Sequence, residues 1–225
     1  MARTSSFQHI FHQFSPALRR RGVSLRAFSH AIGLVIFGSV HQHDDEYEAI
    51  RGFTASLTHR DTHFAVGTYG DFNIRLVNRF DTVQLTSAKR IPQVWTILEI
   101  ELTDRNIPHV FFVPTGREGG EYSRLYATHP TLQPINSMIL SNKSPEFHGR
   151  FQIVTNPTHS HVIETLFSSP VIVGIGNRLW PHGIEIEHGK LLIYITEHRL
   201  TKTVLEAALA SGLWLADTID DAVAR

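Results

Sequence analysis

The sequence predicts an α+β protein built mainly from antiparallel sheet in two lobes, with an N-terminal helical arm and a C-terminal helix. Three observations support this prediction. Apolar and polar residues alternate in several runs between residues 48 and 113, which is typical of strands with one buried face. Pairs of turn-forming residues separate such runs at hairpin spacing. Near both ends of the chain, apolar residues instead recur every three or four positions, as they do in amphipathic helices.

The predicted domain organisation has three parts: a basic helical arm over residues 1–43, a β-rich lobe over residues 44–140 and an α+β lobe over residues 141–225. A chain of 225 residues with 42% hydrophobic residues can bury a sizeable core. Residues 115–146 are rich in Gly, Ser, Pro, Asn and Thr, which predicts mainly loop where the two lobes meet.

Charge is distributed unevenly between the arm and the rest of the chain. Residues 1–43 contain five arginines and no Asp or Glu, so 16 basic residues remain beside all 21 acidic ones. The net formal charge of zero therefore combines a positive arm with a negative body. Such asymmetry is typical of a charged arm on a folded body.

Two short helices are predicted in the arm. The first carries a helically spaced apolar set before Pro16: Phe7, Ile10, Phe11 and Phe14. The second covers residues 25–37, because Ser24 can cap its start and Gly38 can end it.

Three roles are compatible with the arm. Its apolar faces could pack on the body and leave the arginines in solvent. Alternatively, the aromatic residues could enter a membrane surface while the arginines contact anionic headgroups. The residues expected at such a surface are Phe7, Phe11, Phe14, Arg19, Arg20, Arg21 and Arg26. The third role is a transit peptide for organellar import, which is also Arg-rich and acid-poor.

Composition excludes several classes of function. The chain has no cysteine, which excludes disulfides, thiolate zinc sites, iron–sulfur clusters and a cysteine nucleophile. The longest apolar run, at residues 31–40, is about half the length that crosses a bilayer, so no transmembrane segment is predicted. No nucleic-acid partner is expected, because five arginines on an acidic body make a small electrostatic footprint.

Five strands are predicted in the β-rich lobe, and the second and third are joined by a two-residue turn at Gly70-Asp71. The strands cover residues 53–58, 64–69, 71–79, 94–102 and 109–113. The first three of these strands should form an antiparallel meander.

The α+β lobe is predicted to contain a strand, two short helices, a hairpin and a final helix. Asn156-Pro157 and Ser169-Pro170 predict helix starts, because Asn and Ser cap helices and Pro fits their first turn. A capping box that begins at Thr203 starts the last helix. The elements cover residues 147–155, 157–167, 170–180, 183–196 and 203–222.

One family resemblance covers roughly the last 80 residues. Its features are Phe147, Phe151, Asn156-Pro157, Ser169-Pro170, the hairpin at 184–194 and the closing helix. In these features the chain resembles bacterial proteins classed as domains of unknown function. The resemblance implies a β-rich body with short helices at the cytoplasmic side of a bacterial membrane, and it implies no catalytic residue and no ligand.

Three histidine groups have spacings that metal ligands use, and 15 histidines are many for this length. In the best group, His59, Asp61 and His63 share one face of a strand. The two histidines would then lie about 13 Å apart. An adjacent pair could bind a zinc ion if the fold supplies further ligands, whereas all three could bind one ion only at a tight turn. The competing interpretation is a solvated loop that binds nothing. The other groups are His41 with His43 and His159 with His161.

The sequence contains no nucleophile elbow, His-Glu-x-x-His pair or phosphate-binding loop. The predicted function is therefore a non-enzymatic binding or scaffold module, whose partner is a protein or an anionic membrane surface. No cofactor is expected. The alternative is a metal-dependent hydrolase that holds a divalent metal in its histidine and aspartate clusters. The predicted location is the cytoplasm, with or without attachment to a membrane, and organellar import is the alternative.

Overall fold

The structure is a computed structural model. It describes residues 16–40, 50–56, 58–84, 90–117, 120–122, 124–135, 144–196 and 199–224. The strands are β1 (Val35–Val40), β2 (Arg60–Tyr69), β3 (Phe72–Gln84), β4 (Arg90–Glu101), β5 (Val110–Pro114), β6 (Gln133–Pro134), β7 (Phe151–Thr155), β8 (Gly183–Glu187) and β9 (Lys190–Ile195). The α-helices are α1 (Pro16–Ala31), α2 (Leu125–Thr128), α3 (Pro145–Arg150), α4 (Ser160–Leu166), α5 (Ser169–Arg178) and α6 (Lys202–Val223), and a 3-10 turn at Pro157–His159 precedes α4.

The strands of the described residues form one antiparallel sheet in the order β1-β2-β3-β4-β9-β8-β5-β7-β6. This confirms the predicted α+β class with a mainly antiparallel sheet. Strand β4 lies before residue 140 and pairs with β9, which lies after it. One sheet therefore runs through both predicted lobes. The predicted boundaries at residues 43 and 140 fall outside the described residues.

Two predicted hairpins are confirmed. Tyr69 pairs with Phe72 across a two-residue turn in which Gly70 has a φ of 59°. Only glycine adopts such a φ without steric cost. The second hairpin joins β8 to β9 through His188 and Gly189, which also have positive φ.

The second helix predicted in the arm is wrong, because the chain changes to strand before residue 37. Helix α1 ends at Ala31, and Gly33 follows with a φ of 78°. Leu34 donates its N–H to the carbonyl of Ser29 at 2.8 Å, and Gly33 donates to that of His30 at 3.3 Å. This is a Schellman motif, which satisfies the last carbonyls of a helix. The β-branched residues that follow then pair with β2.

Two other elements differ from the prediction. Within residues 50–58 no strand forms in the part that the structure describes; Phe53 and Thr54 are both buried there in a turn. The cap of the last helix lies two residues before the predicted cap at Thr203. Its N-cap is Thr201, whose hydroxyl accepts the N–H of Val204 at 3.2 Å.

The sheet buries both of its faces, each in a different way. Helices α1, α3, α4, α5 and α6 cover one face, here called the helix face, and the second core lies on the opposite, loop face. The loop face is covered by residues 50–56, 120–122 and 124–135. Side chains alternate strictly along β8, so that Ile184 and Ile186 point to the helix face while Glu185 points to the loop face.

Helix α1 is fastened to the helix face by a buried arginine. The guanidinium of Arg21 donates to Asn78 Oδ1 at 2.7 Å, to Thr96 Oγ1 at 2.7 Å and to the carbonyl of Ile195 at 3.2 Å. These acceptors lie on β3, β4 and β9. Leu25 and Phe28 are buried in the same core. Residues 16–31 of the predicted arm are therefore packed on the sheet.

Candidate functional site

The three residues predicted to bind a metal do not come together. His59 Nε2 lies 3.7 Å from Asp61 Oδ2, but His63 is on the other face of the sheet. The cause is a β-bulge in β2, where the pairing with β3 shifts between Thr62 and Ala65 and His63 has a φ of 54°. A bulge inserts one extra residue and breaks the alternation of side chains.

Asp61 and His63 each have another partner. Both oxygens of Asp61 accept from the guanidinium of Arg79, at 2.8 and 2.7 Å. The His63 ring packs against α1, with its Nε2 3.2 Å from Arg26 Nη1. Burial, and then the charge of Arg26, lowers the pKa of His63 below its usual value. The structure therefore places His59 next to Asp61 but does not bring His63 to the same point.

A different cluster brings three potential ligands together on the loop face. His109 precedes β5, His129 follows α2, and Glu185 is the middle residue of β8. Glu185 Oε1 lies 2.8 Å from His109 Nε2 and 3.9 Å from His129 Nε2. One donor atom from each residue lies within 4.8 Å of the others. Among the described residues, this is the group of three with a spacing suited to a metal ion.

Local structure positions each member of this cluster. The carbonyl of His109 accepts the hydroxyl of Thr155 at 2.7 Å, which ties it to β7. The N–H of His129 ends α2 by donating to the carbonyl of Leu125 at 2.8 Å. The two imidazole rings meet edge to face, with their centroids 4.6 Å apart.

Glu185 is a fully buried carboxylate whose second oxygen is also bonded. Its Oε2 accepts the hydroxyl of Tyr194 and the N–H of Phe53, the latter at 3.3 Å. The aromatic rings of Phe53 and Tyr194 pack edge to face at 4.8 Å. A buried charge requires such partners, because its desolvation would otherwise cost several kcal/mol.

Protonation differs between the two histidines. Burial lowers the pKa of His109, but its hydrogen bond to Glu185 and the charges of Glu185 and Glu187 outweigh that effect and raise the pKa overall. Burial lowers the pKa of His129; the charge of Glu185 opposes this, and that of His109 adds to it, so the net shift is downward. The pKa values of the two histidines therefore shift in opposite directions, although both rings lie next to the same glutamate.

Sequence reasoning missed this cluster because its members are far apart along the chain. His109 and His129 are separated by 20 positions, and Glu185 follows 56 positions later. The one local signal was a glutamate between Ile184 and Ile186 in a strand that is buried on both faces. The alternation of apolar and polar residues on its own predicts that such a glutamate faces solvent.

The predicted membrane-surface residues fall into three groups. Arg19, Arg20 and Arg26 lie on the exposed side of α1, next to Val23, which is 58% exposed. Arg21 points in the opposite direction and is only 6% exposed, because it binds the sheet. Arg21 is therefore not available to contact a membrane surface, unlike the three exposed arginines. The aromatic residues Phe7, Phe11 and Phe14 lie outside the described residues, as do His41 and His43.

Another buried histidine, His182, gives the fold a pH dependence. Burial, and then the charge of Arg117, lowers the pKa of His182 to about 4. Below pH 6.5 the unfolded chain takes up a proton that folded His182 does not. The free energy of unfolding should therefore fall by roughly 3 kcal/mol between pH 6.5 and 4 from this residue alone.

Urea unfolding of the wild type and of the variant His182→Gln, measured at several pH values, isolates this contribution from that of other groups. The stability difference, wild type minus variant, should decrease as the pH falls from 6.5 to 4. A difference that stays constant over this range would show that His182 titrates normally.

The fold defines an α+β protein with a single antiparallel sheet, whose two faces carry helices and ordered loops. No protein-family model matches the chain, and no curated protein sequence matches it. Among solved structures, it is similar to the mycobacterial trehalose monomycolate transport factor A, TtfA, with a TM-score of 0.60 and 10% sequence identity. The match covers 89% of this chain and 95% of that one. At this identity, the similarity concerns the fold.

In the part of the chain that the structure describes, no helix combines the length and the apolar character needed to span a membrane.

Proposed function

We propose that the protein is a non-enzymatic binding module that attaches to an anionic membrane surface through the exposed face of α1. The observation that carries this proposal is the division of α1 into two faces. One face is anchored in the core through Arg21, Leu25 and Phe28. The other presents arginines and Val23 to solvent.

The exposed face has the chemistry that an anionic surface binds. Arg19, Val23 and Arg26 are spaced at i, i+4 and i+7, so they form one stripe on the helix. Arg20 lies beside this stripe and is also exposed. Residues 1–43 contain five arginines and no acidic residue, so this segment as a whole is positively charged. Each arginine near an anionic membrane contributes about 1 kcal/mol to binding.

The remaining support comes from the sequence and from the structural neighbour. Phe7, Phe11 and Phe14 precede α1 in the chain and would supply apolar contacts at the headgroup boundary. The neighbour with the same fold is described as a transport factor and not by a reaction that it catalyses. A binding role for this chain agrees with that description.

The test compares two triple variants in a vesicle sedimentation assay. Arg19→Gln, Arg20→Gln and Arg26→Gln together remove about 3 kcal/mol of attraction, so binding to phosphatidylcholine vesicles containing phosphatidylserine should weaken about a hundredfold. The matched control replaces three exposed basic residues elsewhere with glutamine, namely Arg105, Arg199 and Lys202. The control should bind nearly as the wild type does.

Salt and lipid composition provide further checks on this interpretation. Binding should decrease as the ionic strength rises, because the Debye length shortens to about 8 Å at 0.15 M. It should be absent from vesicles of phosphatidylcholine alone. Equal losses in the two triple variants would assign the attraction to net charge and not to α1. A wild type that does not bind anionic vesicles would rule out the proposal.

A further inference from the structure

We propose that His109, His129 and Glu185 bind one divalent transition-metal ion, with zinc as the ion that their donor atoms fit best. The site is different from the metal site that the sequence predicts at His59, Asp61 and His63. It is also independent of the membrane attachment proposed for α1, because it lies on the opposite face of the sheet.

The donor set is the first argument. Two imidazole nitrogens and one carboxylate oxygen are ligands that zinc prefers in proteins, and two histidines with one glutamate form a recurrent zinc set. Calcium and magnesium prefer sites made of oxygen ligands. The composition of the cluster therefore selects a transition metal over the alkaline-earth ions.

The distances are the second argument. Zinc holds nitrogen and oxygen ligands at about 2.1 Å, so neighbouring ligands of a tetrahedral ion lie about 3.4 Å apart. In the structure, Glu185 Oε1 is 2.8 Å from His109 Nε2 and 3.9 Å from His129 Nε2. These values bracket the required spacing. Small rotations of the two rings would place all three atoms around one ion.

The surroundings of the ligands are the third argument. A metal-binding histidine usually directs its second nitrogen to a carboxylate or carbonyl, which fixes the ring. His109 Nδ1 lies 3.5 Å from Glu187 Oε1 in this way. The second oxygen of Glu185 is held by Tyr194 and by the N–H of Phe53. His109 and Glu185 are therefore each held in place by a second group, as metal ligands in proteins usually are.

His129 provides the fourth argument. Its Nε2 is buried and has no hydrogen-bond partner among the described residues, although it faces Glu185. Buried polar atoms without partners are rare in folded proteins. A metal ion between His129 and Glu185 would give this nitrogen a ligand bond.

Charge and access agree with a bound cation. A doubly charged ion would neutralise Glu185 and the nearby Glu187 together. The side chains of His109 and His129 are 18% and 19% exposed, so the cluster lies close to the protein surface. The three ligands come from separate segments, and a metal ion would fasten α2 and its following residues to the sheet.

The test uses protein without a polyhistidine tag, stripped of metal with a chelator and titrated with zinc chloride in a calorimeter. The wild type should bind one zinc ion per chain. His129→Gln should weaken binding more than a hundredfold, and Glu187→Gln should weaken it about ten- to a hundredfold, which is typical of an outer-shell partner. The matched control is His159→Gln with His161→Gln, because both residues are exposed; it should bind as the wild type does.

Two further readouts use the wild type and do not depend on how the variants fold. Cobalt bound at this site should give the strong visible absorption of a tetrahedral ion with nitrogen and oxygen ligands. A hundredfold excess of zinc over its dissociation constant should raise the Tm by about 5 to 10 °C. Absence of stoichiometric zinc binding, or a loss in the control as large as that in His129→Gln, would overturn the proposal.

Discussion

Replacing Arg79 with methionine is expected to lower the free energy of unfolding by about 3 to 5 kcal/mol. Arg79 is fully buried on the loop face. Its guanidinium binds both oxygens of Asp61, the hydroxyl of Thr54 at 2.9 Å and the carbonyl of Arg51 at 3.0 Å. It also donates to the carbonyl of Ile50. Methionine fills much of the volume and leaves all of these acceptors without their donor.

The large effect arises mainly from the acceptors that remain. Asp61 is 5% exposed, so without Arg79 its charge stays buried with little compensation. Removing one partner of a buried ion pair costs more than the pair contributes. Urea unfolding should therefore show a lower midpoint, and the double variant Arg79→Met with Asp61→Asn should recover part of the loss.

Arg105 is the matched control for Arg79. Its pairing with Glu101 has a similar chemistry at 3.3 Å, but the Arg105 side chain is 77% exposed. Such pairs contribute less than about 1 kcal/mol, so Arg105→Met should change the stability little. If Arg79→Met and Arg105→Met had equal effects, the loop face would not be held by a buried ion pair.

Gly52→Ala is expected to destabilise the protein by about 2 to 5 kcal/mol. Gly52 has a φ of 74°, which costs a residue with a Cβ about 1 to 2 kcal/mol. The new methyl group would also overlap the Tyr194 hydroxyl and come within 2.9 Å of Glu185 Oε2. Overpacking of this kind costs about 1 to 3 kcal/mol. The substitution thus disturbs the contacts that hold the buried carboxylate.

Gly70→Ala is a control that separates the backbone conformational cost of Gly52→Ala from its overpacking cost. Gly70 has a similar φ of 59°, but no atom lies within 4 Å of the position that its Cβ would occupy. This control should lose only the conformational part, about 1 to 2 kcal/mol. Thermal unfolding of both variants measures the difference. Equal losses would mean that residues 50–56 can move away from Tyr194 at little cost.

Much of the fold could be predicted because its signals are local. The turn at Gly70-Asp71 and the helix starts at Asn156 and Ser169 depend on a few adjacent residues, and each was predicted within one residue. The arm shows where local signals compete. Gly33 and Gly38 both offer a helix end, and the strand-forming residues between them pair with β2. That pairing is a tertiary contact, which periodicity does not reveal.

The candidate metal cluster could not be predicted for a related reason. Its ligands meet only because β8 lies beside β5 in the sheet and because α2 returns the chain to the loop face. The sequence did show a ligand-like spacing at His59 and His63, but a β-bulge places these two side chains on different faces of the sheet. A bulge of this type depends on how two strands pair.

The pairing of β4 with β9 has a consequence for synthesis of the chain on the ribosome. The two strands are joined through six residue pairs, from Thr96 with Ile195 to Glu101 with Lys190. The hairpins that end at β4 can form early, but until residue 195 emerges β4 is an open edge rich in apolar residues. Such edges recruit other chains. We therefore expect the nascent protein to be most prone to aggregation while the roughly 95 residues that separate the end of β4 from the end of β9 are being translated.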